Sequence, residues 1–125
     1  MTAHVLVPLT QAPGGKFVIL LRGGKFHYVS APLSTHPYHA HIVFAFLQEG
    51  GRGEAVLTDA AHCRILSPEW EVLGGGYYEV DASDRIFRLS GKSTAYGKYP
   101  AEAVRKNIGS WLEDLGLPDF QPVLA

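Results

Sequence analysis

Cysteine is all but missing from this 125-residue chain: Cys63 stands alone, so no intramolecular disulfide can form and no cysteine-rich zinc site or disulfide scaffold can be built. A reducing cytoplasm is the expected setting. Long apolar runs are also lacking. None reaches the roughly 18 residues of a membrane helix, and Met1 to Pro8 has neither the basic region nor the apolar core of a signal peptide. Neither a membrane partner nor export is expected. Charge of one sign is missing too. With 11 Lys and Arg against 12 Asp and Glu the net charge is -1, which argues against a general electrostatic grip on nucleic acid, so any anion site must be local. No internal repeat or low-complexity tail occurs. A length of 125 residues with 46% hydrophobic and 18% charged residues describes one globular domain spanning 1–125.

What the chain does contain is short apolar runs punctuated by glycine and proline. Lys16 to Arg22, bounded by Gly14-Gly15 and Gly23-Gly24, reads as a buried strand, and Val5 to Val7 as a shorter strand before it. Ile42 to Leu47 are all apolar, a run that fits a buried helix or a strand. The Pro37 ahead of it and Gln48-Glu49-Gly50-Gly51 behind it favour a helix over Ala40 to Glu49. Further strands are expected at Cys63 to Leu66, Glu71 to Leu73, Tyr77 to Val80 and Arg85 to Leu89, with a hairpin turn at Asp81 to Asp84. Val104, Ile108, Trp111, Leu112 and Leu115 recur at helical spacing, opened by Pro100 and closed by Gly116 and Pro118. Phe120 to Leu124 reads as an edge strand, where Pro122 is tolerated.

Three segments carry the chemical signal: Tyr38-His39-Ala40-His41-Ile42, Leu73-Gly74-Gly75-Gly76 and Ser93-Thr94-Ala95-Tyr96-Gly97. They offer a histidine beside an apolar run and two small-residue stretches able to bring backbone N–H groups close to an anion, a combination suited to phosphoryl chemistry. In this order the segments resemble the hallmarks of the Janus/Ocnus family of small phosphohistidine phosphatases, Tyr-His-Ala-x-Ile, Leu-Gly-Gly-Gly and Ser-x-Ala-Tyr-Gly. Gly15-Lys16-Phe17-Val18 resembles the family's early strand, and Leu117-Pro118-Asp119-Phe120 its closing segment. Gly23 to Pro37 lies outside the resemblance, and roughly Gly51 to Pro68 reads as an insertion.

The resemblance implies an α/β domain with a mixed sheet flanked by one helix on each face, and hydrolysis of a phosphoramidate bond on histidine without a metal or other cofactor. His39 matches the catalytic base, a role worth about 10²–10⁴-fold for a group titrating near neutrality. Ser93, Ala95 and the backbone around His39 (Tyr38 and Ala40) match the phosphate cradle, with Thr94 between them, and Lys16 supplies a point charge beside it. The implied partners are a phosphohistidine-containing protein or small phosphoramidate, and phosphate itself. Family members commonly carry an arginine directly after the glycine triplet, where this chain has Tyr77, and a second arginine upstream of the histidine motif has no match. Lys92 is the expected source of replacement positive charge.

Other readings of the same residues are weaker. Gly91-Lys92-Ser93-Thr94 ends like a Walker motif, but Ile86 occupies the place of its first glycine. His36, His39 and His41 are candidate metal ligands in a cupin-like site: on a strand His39 and His41 share a face, whereas on a helix they diverge. His41 is read as structural. Gly74 to Gly76 mark either a close strand crossing or a ligand contact. A phosphate or phosphohistidine binding module without turnover is the main alternative to an enzyme.

Overall fold

The structure, a computed structural model, describes residues 1–11 and 13–125. A six-stranded mixed sheet runs through its middle. Its strands are β1 (Ala3–Val5), β2 (Gly14–Arg22), β3 (Lys25–Ala31), β6 (Glu71–Asp81), β7 (Ile86–Ser90) and β8 (Gln121–Leu124), in the order β1-β3-β2-β6-β7-β8. The outer pairs β1·β3 and β7·β8 are parallel and the inner pairs antiparallel. A separate hairpin, β4 (Ala55–Asp59) with β5 (His62–Ile65), occupies the segment expected as an insertion.

β2 lies at the centre of the sheet, and its side chains are buried on both faces, which is why its sequence is a continuous apolar run rather than an alternation. Phe17 and Ile19 point to one face, where Tyr28, Tyr78, Phe87 and Leu89 meet Val104, Ile108, Trp111 and Leu112 of helix α2 (Ala101–Asp114). Val18 and Leu20 point to the other, where Val29 and Ala31 meet Ile42 and Val43 of helix α1 (His39–Phe44). One helix thus covers each face of the sheet. α1 continues as a π-helical turn, Ala45–Glu49, so the helix expected over 40–49 is present with a wider last turn. α2 follows Pro100 and stops at Leu115-Gly116, where Gly116 takes φ +76° and Leu117 N–H returns to Leu112 O at 2.8 Å.

Several expectations need correction. The first strand is Ala3–Val5 rather than 5–7, because Ala3 belongs in the core and the amides of Thr2 and Ala3 are held by Asp114 Oδ2 at 3.1 and 3.3 Å. β3 and β4 were not expected as strands. β3 follows from Gly23-Gly24, whose φ values of +56° and +77° make a tight two-residue turn returning the chain along β2. Glu71–Leu73 and Tyr77–Val80 are not two strands but one, continuous through the glycine triplet, with a register shift opposite Ile19/Leu20. The tail forms its edge strand at Gln121–Leu124, with Pro122 opposite Phe87. No helix among the described residues is long and apolar enough to cross a membrane.

Candidate functional site

The glycine triplet explains how a histidine comes to rest on the sheet. A Cβ on Gly75 would collide with Phe17 O and lie 2.9 Å from His39 Cδ2, and one on Gly74, at φ +145°, would collide with Lys98 O. Glycines here let two neighbours approach the strand: His39 from α1, and the segment at Lys98, which bridges to Gly75. His39 is 5% exposed. Its Nε2 lies 2.9 Å from Gly76 O. A carbonyl only accepts, so in the neutral ring Nε2 carries the proton and Nδ1 keeps its lone pair. Nδ1 has no hydrogen-bond partner among the described residues and retains contact with solvent. Burial holds the His39 pKa below the ordinary imidazole value; the Gly76 bond opposes this and the nearby Lys16 charge adds to it. The ring is therefore a neutral base at pH 7.

This ring lines a cleft of about 240 Å³ together with Lys16, Tyr38, Ala61, His62, Tyr77, Ser93, Thr94 and Ala95. The volume suits a phosphoryl group with one attached ring rather than a large ligand. Lys16 lies opposite Tyr77 in the β2·β6 ladder and is the only Lys or Arg in the wall among the described residues. Its Nζ donates to Pro37 O at 2.6 Å and sits 5.6 and 5.8 Å from the ring centroids of Tyr38 and Tyr77. An ammonium has three donors, so two remain for an anion. Tyr77 also packs edge-on to His39, centroids 6.0 Å apart. Where a second cation was anticipated, the wall is aromatic.

The loop after β7 supplies the third side. Ser93 N–H donates to Gly97 O at 3.0 Å, Gly97 N–H returns to Ser93 O at 2.8 Å, and Gly75 N–H also reaches Gly97 O at 3.1 Å. Buried Ser93 accepts from Tyr96 N–H on its Oγ at 3.1 Å. The Ser93 amide and hydroxyl thus fix the loop. Its open donors are the N–H groups of Thr94 and Ala95, which have no acceptor among the described residues and belong to the cleft wall.

No family model matches the chain, and no curated protein matches it.

Of the residues singled out from sequence, Lys16, Tyr38, His39, Ser93, Thr94 and Ala95 meet in one cleft. Ala40, expected beside the phosphate, is buried in the first turn of α1 and lies outside the wall, because its side chain is buried in the core. Lys92 is exposed and also outside the wall. The helix separates the histidines: His36 and His41 line another groove with Thr35, Phe44, Glu49 and Leu57. No group of three His, Cys, Asp or Glu side chains converges in ligating geometry among the described residues. Sequence reasoning did not place Tyr77, Ala61 and His62 in the wall. Strand alternation from Lys16 across the ladder finds Tyr77, whereas only the tertiary position of the β4–β5 turn brings Ala61 and His62.

Proposed function

We propose that this domain is a protein phosphohistidine phosphatase that hydrolyses the phosphoramidate bond without a metal. The observation that carries the reading is the buried His39 ring, locked through Nε2 to Gly76 O, on a cleft that also presents one ammonium and two open backbone amides. The phosphoryl group rests on Lys16 Nζ and the N–H groups of Thr94 and Ala95, which face its charge without having to reorganise. His39 Nδ1 takes a proton from the attacking water. The new O–P bond forms as the P–N bond breaks and the departing ring takes up a proton, so phosphate and a neutral histidine side chain leave. The substrate is a phosphohistidine-containing protein or a small phosphoramidate met in the cytoplasm. The resemblance of the three motifs to the Janus/Ocnus family supports this reading.

One observation favours a second reading. Among the described residues Lys16 is the only Lys or Arg in the wall, and Tyr77 stands where an arginine was anticipated, so a phosphate or phosphohistidine binding module without turnover fits the same cleft. Hydrolysis of phosphohistidine, free and in a peptide, by the wild type and by His39→Ala with chelator present throughout separates the two. Turnover lost in the variant supports the enzyme. Phosphate binding that survives His39→Ala, with no turnover by either form, supports the binding module.

A further inference from the structure

The hairpin expected only as an insertion reaches the cleft with a second imidazole. Ala61 and His62 belong to the wall that holds His39, and both lie at the β4–β5 turn. His62 is exposed, and a carboxylate orients its ring. Its Nδ1 lies 2.8 and 3.0 Å from the two Asp59 carboxylate oxygens, and Asp59 Oδ1 also accepts the Ala61 N–H at 2.8 Å, so one carboxylate shapes the turn and orients the ring. Thr58 Oγ1 adds a bond to His62 O at 3.3 Å. The hairpin is anchored behind the turn: Ala55 is buried, and Cys63 and Ile65 pack into the cluster of Val18, Ile42 and Trp70, which Tyr96 of the 93–97 loop also joins. With Nδ1–H committed to Asp59, Nε2 is the atom left to act, and it has no partner among the described residues.

We propose that His62, oriented by Asp59, is the proton donor to the leaving group. This rests on the phosphohistidine reading above. When water attacks phosphorus, the electron pair of the P–N bond stays on the ring nitrogen that phosphorus leaves. Unless a proton arrives at the other nitrogen of that ring, an imidazolate must depart. In its imidazolium form, with Nδ1–H held by Asp59, His62 gives the Nε2 proton to that other nitrogen and is left neutral, so a neutral imidazole leaves, while His39 takes the proton of the attacking water. Solvent then restores both histidines. The assignment divides the cleft into a phosphoryl side at His39, Lys16 and the 94–95 amides and a leaving-group side at the hairpin.

The test compares two substrates that differ in whether a proton is needed. N-phosphorylimidazole requires one; N-phosphoryl-N′-methylimidazolium, already cationic, leaves as a neutral ring unaided. His62→Gln is expected to lower kcat on the first by about 10²-fold, a typical general-acid contribution, with a loss on the methylated compound of only a few-fold. Asp59→Asn should show the same bias at smaller amplitude. His39→Ala should slow both. Equal losses by His62→Gln on both substrates, or none on either, would overturn the proton-donor role while leaving the hydrolase reading intact. A wild type inactive on both would overturn the hydrolase reading and this role with it.

Discussion

Replacing Gly75 with alanine tests whether the glycine triplet exists to seat His39. The new Cβ would overlap Phe17 O and lie 2.9 Å from His39 Cδ2, where ordinary carbon contacts begin at about 3.5 Å. The Phe17 carbonyl is main chain in the central strand, so β6 must move away from β2 or His39 must leave its seat. Overpacking of this kind costs about 1–3 kcal/mol, which for a domain of this size lowers Tm by about 4–11 °C. The ring should also lose its Nε2 bond to Gly76 O, and a displaced base costs on the order of 10²-fold in turnover. Thermal unfolding reads the first effect, phosphohistidine hydrolysis the second, and the imidazole ¹⁵N resonances report the tautomer directly. Gly74→Ala is the control. Its Cβ would meet Lys98 rather than His39, at a φ of +145° that strains any side chain, so it should destabilise as much while leaving the His39 tautomer unchanged. A Gly75→Ala protein with wild-type Tm and an unaltered Nε2–H tautomer would refute the reasoning.

Because burial holds the His39 pKa below the ordinary imidazole value, the acid limb of kcat/KM should be centred below pH 6.5; an acid limb centred above 6.5 would contradict a buried base. Lys16 contributes to that lowering, so Lys16→Met should move the limb to higher pH as well as weaken phosphate binding by about tenfold, measured by calorimetry. Lys92→Met, outside the wall, should weaken binding by less than about threefold; an equal loss would put Lys92 in the site after all. His4 packs on His27 and Phe46, and burial first, then the Arg52 and His27 charges, lowers its pKa to about 4; burial lowers the His27 pKa as well. The unfolded chain binds these protons near 6.5 and the folded one does not, so this stability is present above 6.5, is lost as the pH falls toward 4 and levels off below it. The full shift is worth about 3 kcal/mol, reduced to about 1–2 kcal/mol by partial solvent contact. Urea unfolding of wild type and His4→Phe at pH 7.5 and 4.5 checks it, and an identical pH dependence in both would refute the assignment.

How much of this was legible in the sequence depended on whether a feature was local. α2 declared itself because one helix face is apolar over four turns, and β2 because a strand buried on both sides is apolar throughout. β3 carries the weaker pattern Phe26, Tyr28, Ser30 against His27, Val29, Ala31, and was overlooked although Gly23-Gly24 is a strong hairpin signal in its own right. The glycine triplet misled in the opposite direction. Read as punctuation it split one strand in two, whereas its glycines lie inside a ladder, chosen for what approaches them from either side.

The same division runs through the site. His39, Ser93, Thr94 and Ala95 sit in short segments whose composition already points to an anion, and the fold brings them into one wall. Yet the amide expected at Ser93 is spent on Gly97, because closing a five-residue loop needs that bond, and the open donors shift to the next two residues. No sequence rule could assign that bond without the loop's closure. Tyr77 was visible only as the place of a missing arginine, and His62 not at all. Tyr77 acquires its place from its register opposite Lys16, and His62 from a hairpin anchored through Ala55 and Cys63 to a core formed by other elements. Recognition of a motif therefore found the segments suited to phosphate, and only the packing of the inserted hairpin brings a second histidine to the same wall. If the phosphoryl side is shared with the family that the motifs resemble, the hairpin is where this chain's own selectivity for the leaving group must be sought, since it is the wall that the resemblance does not cover.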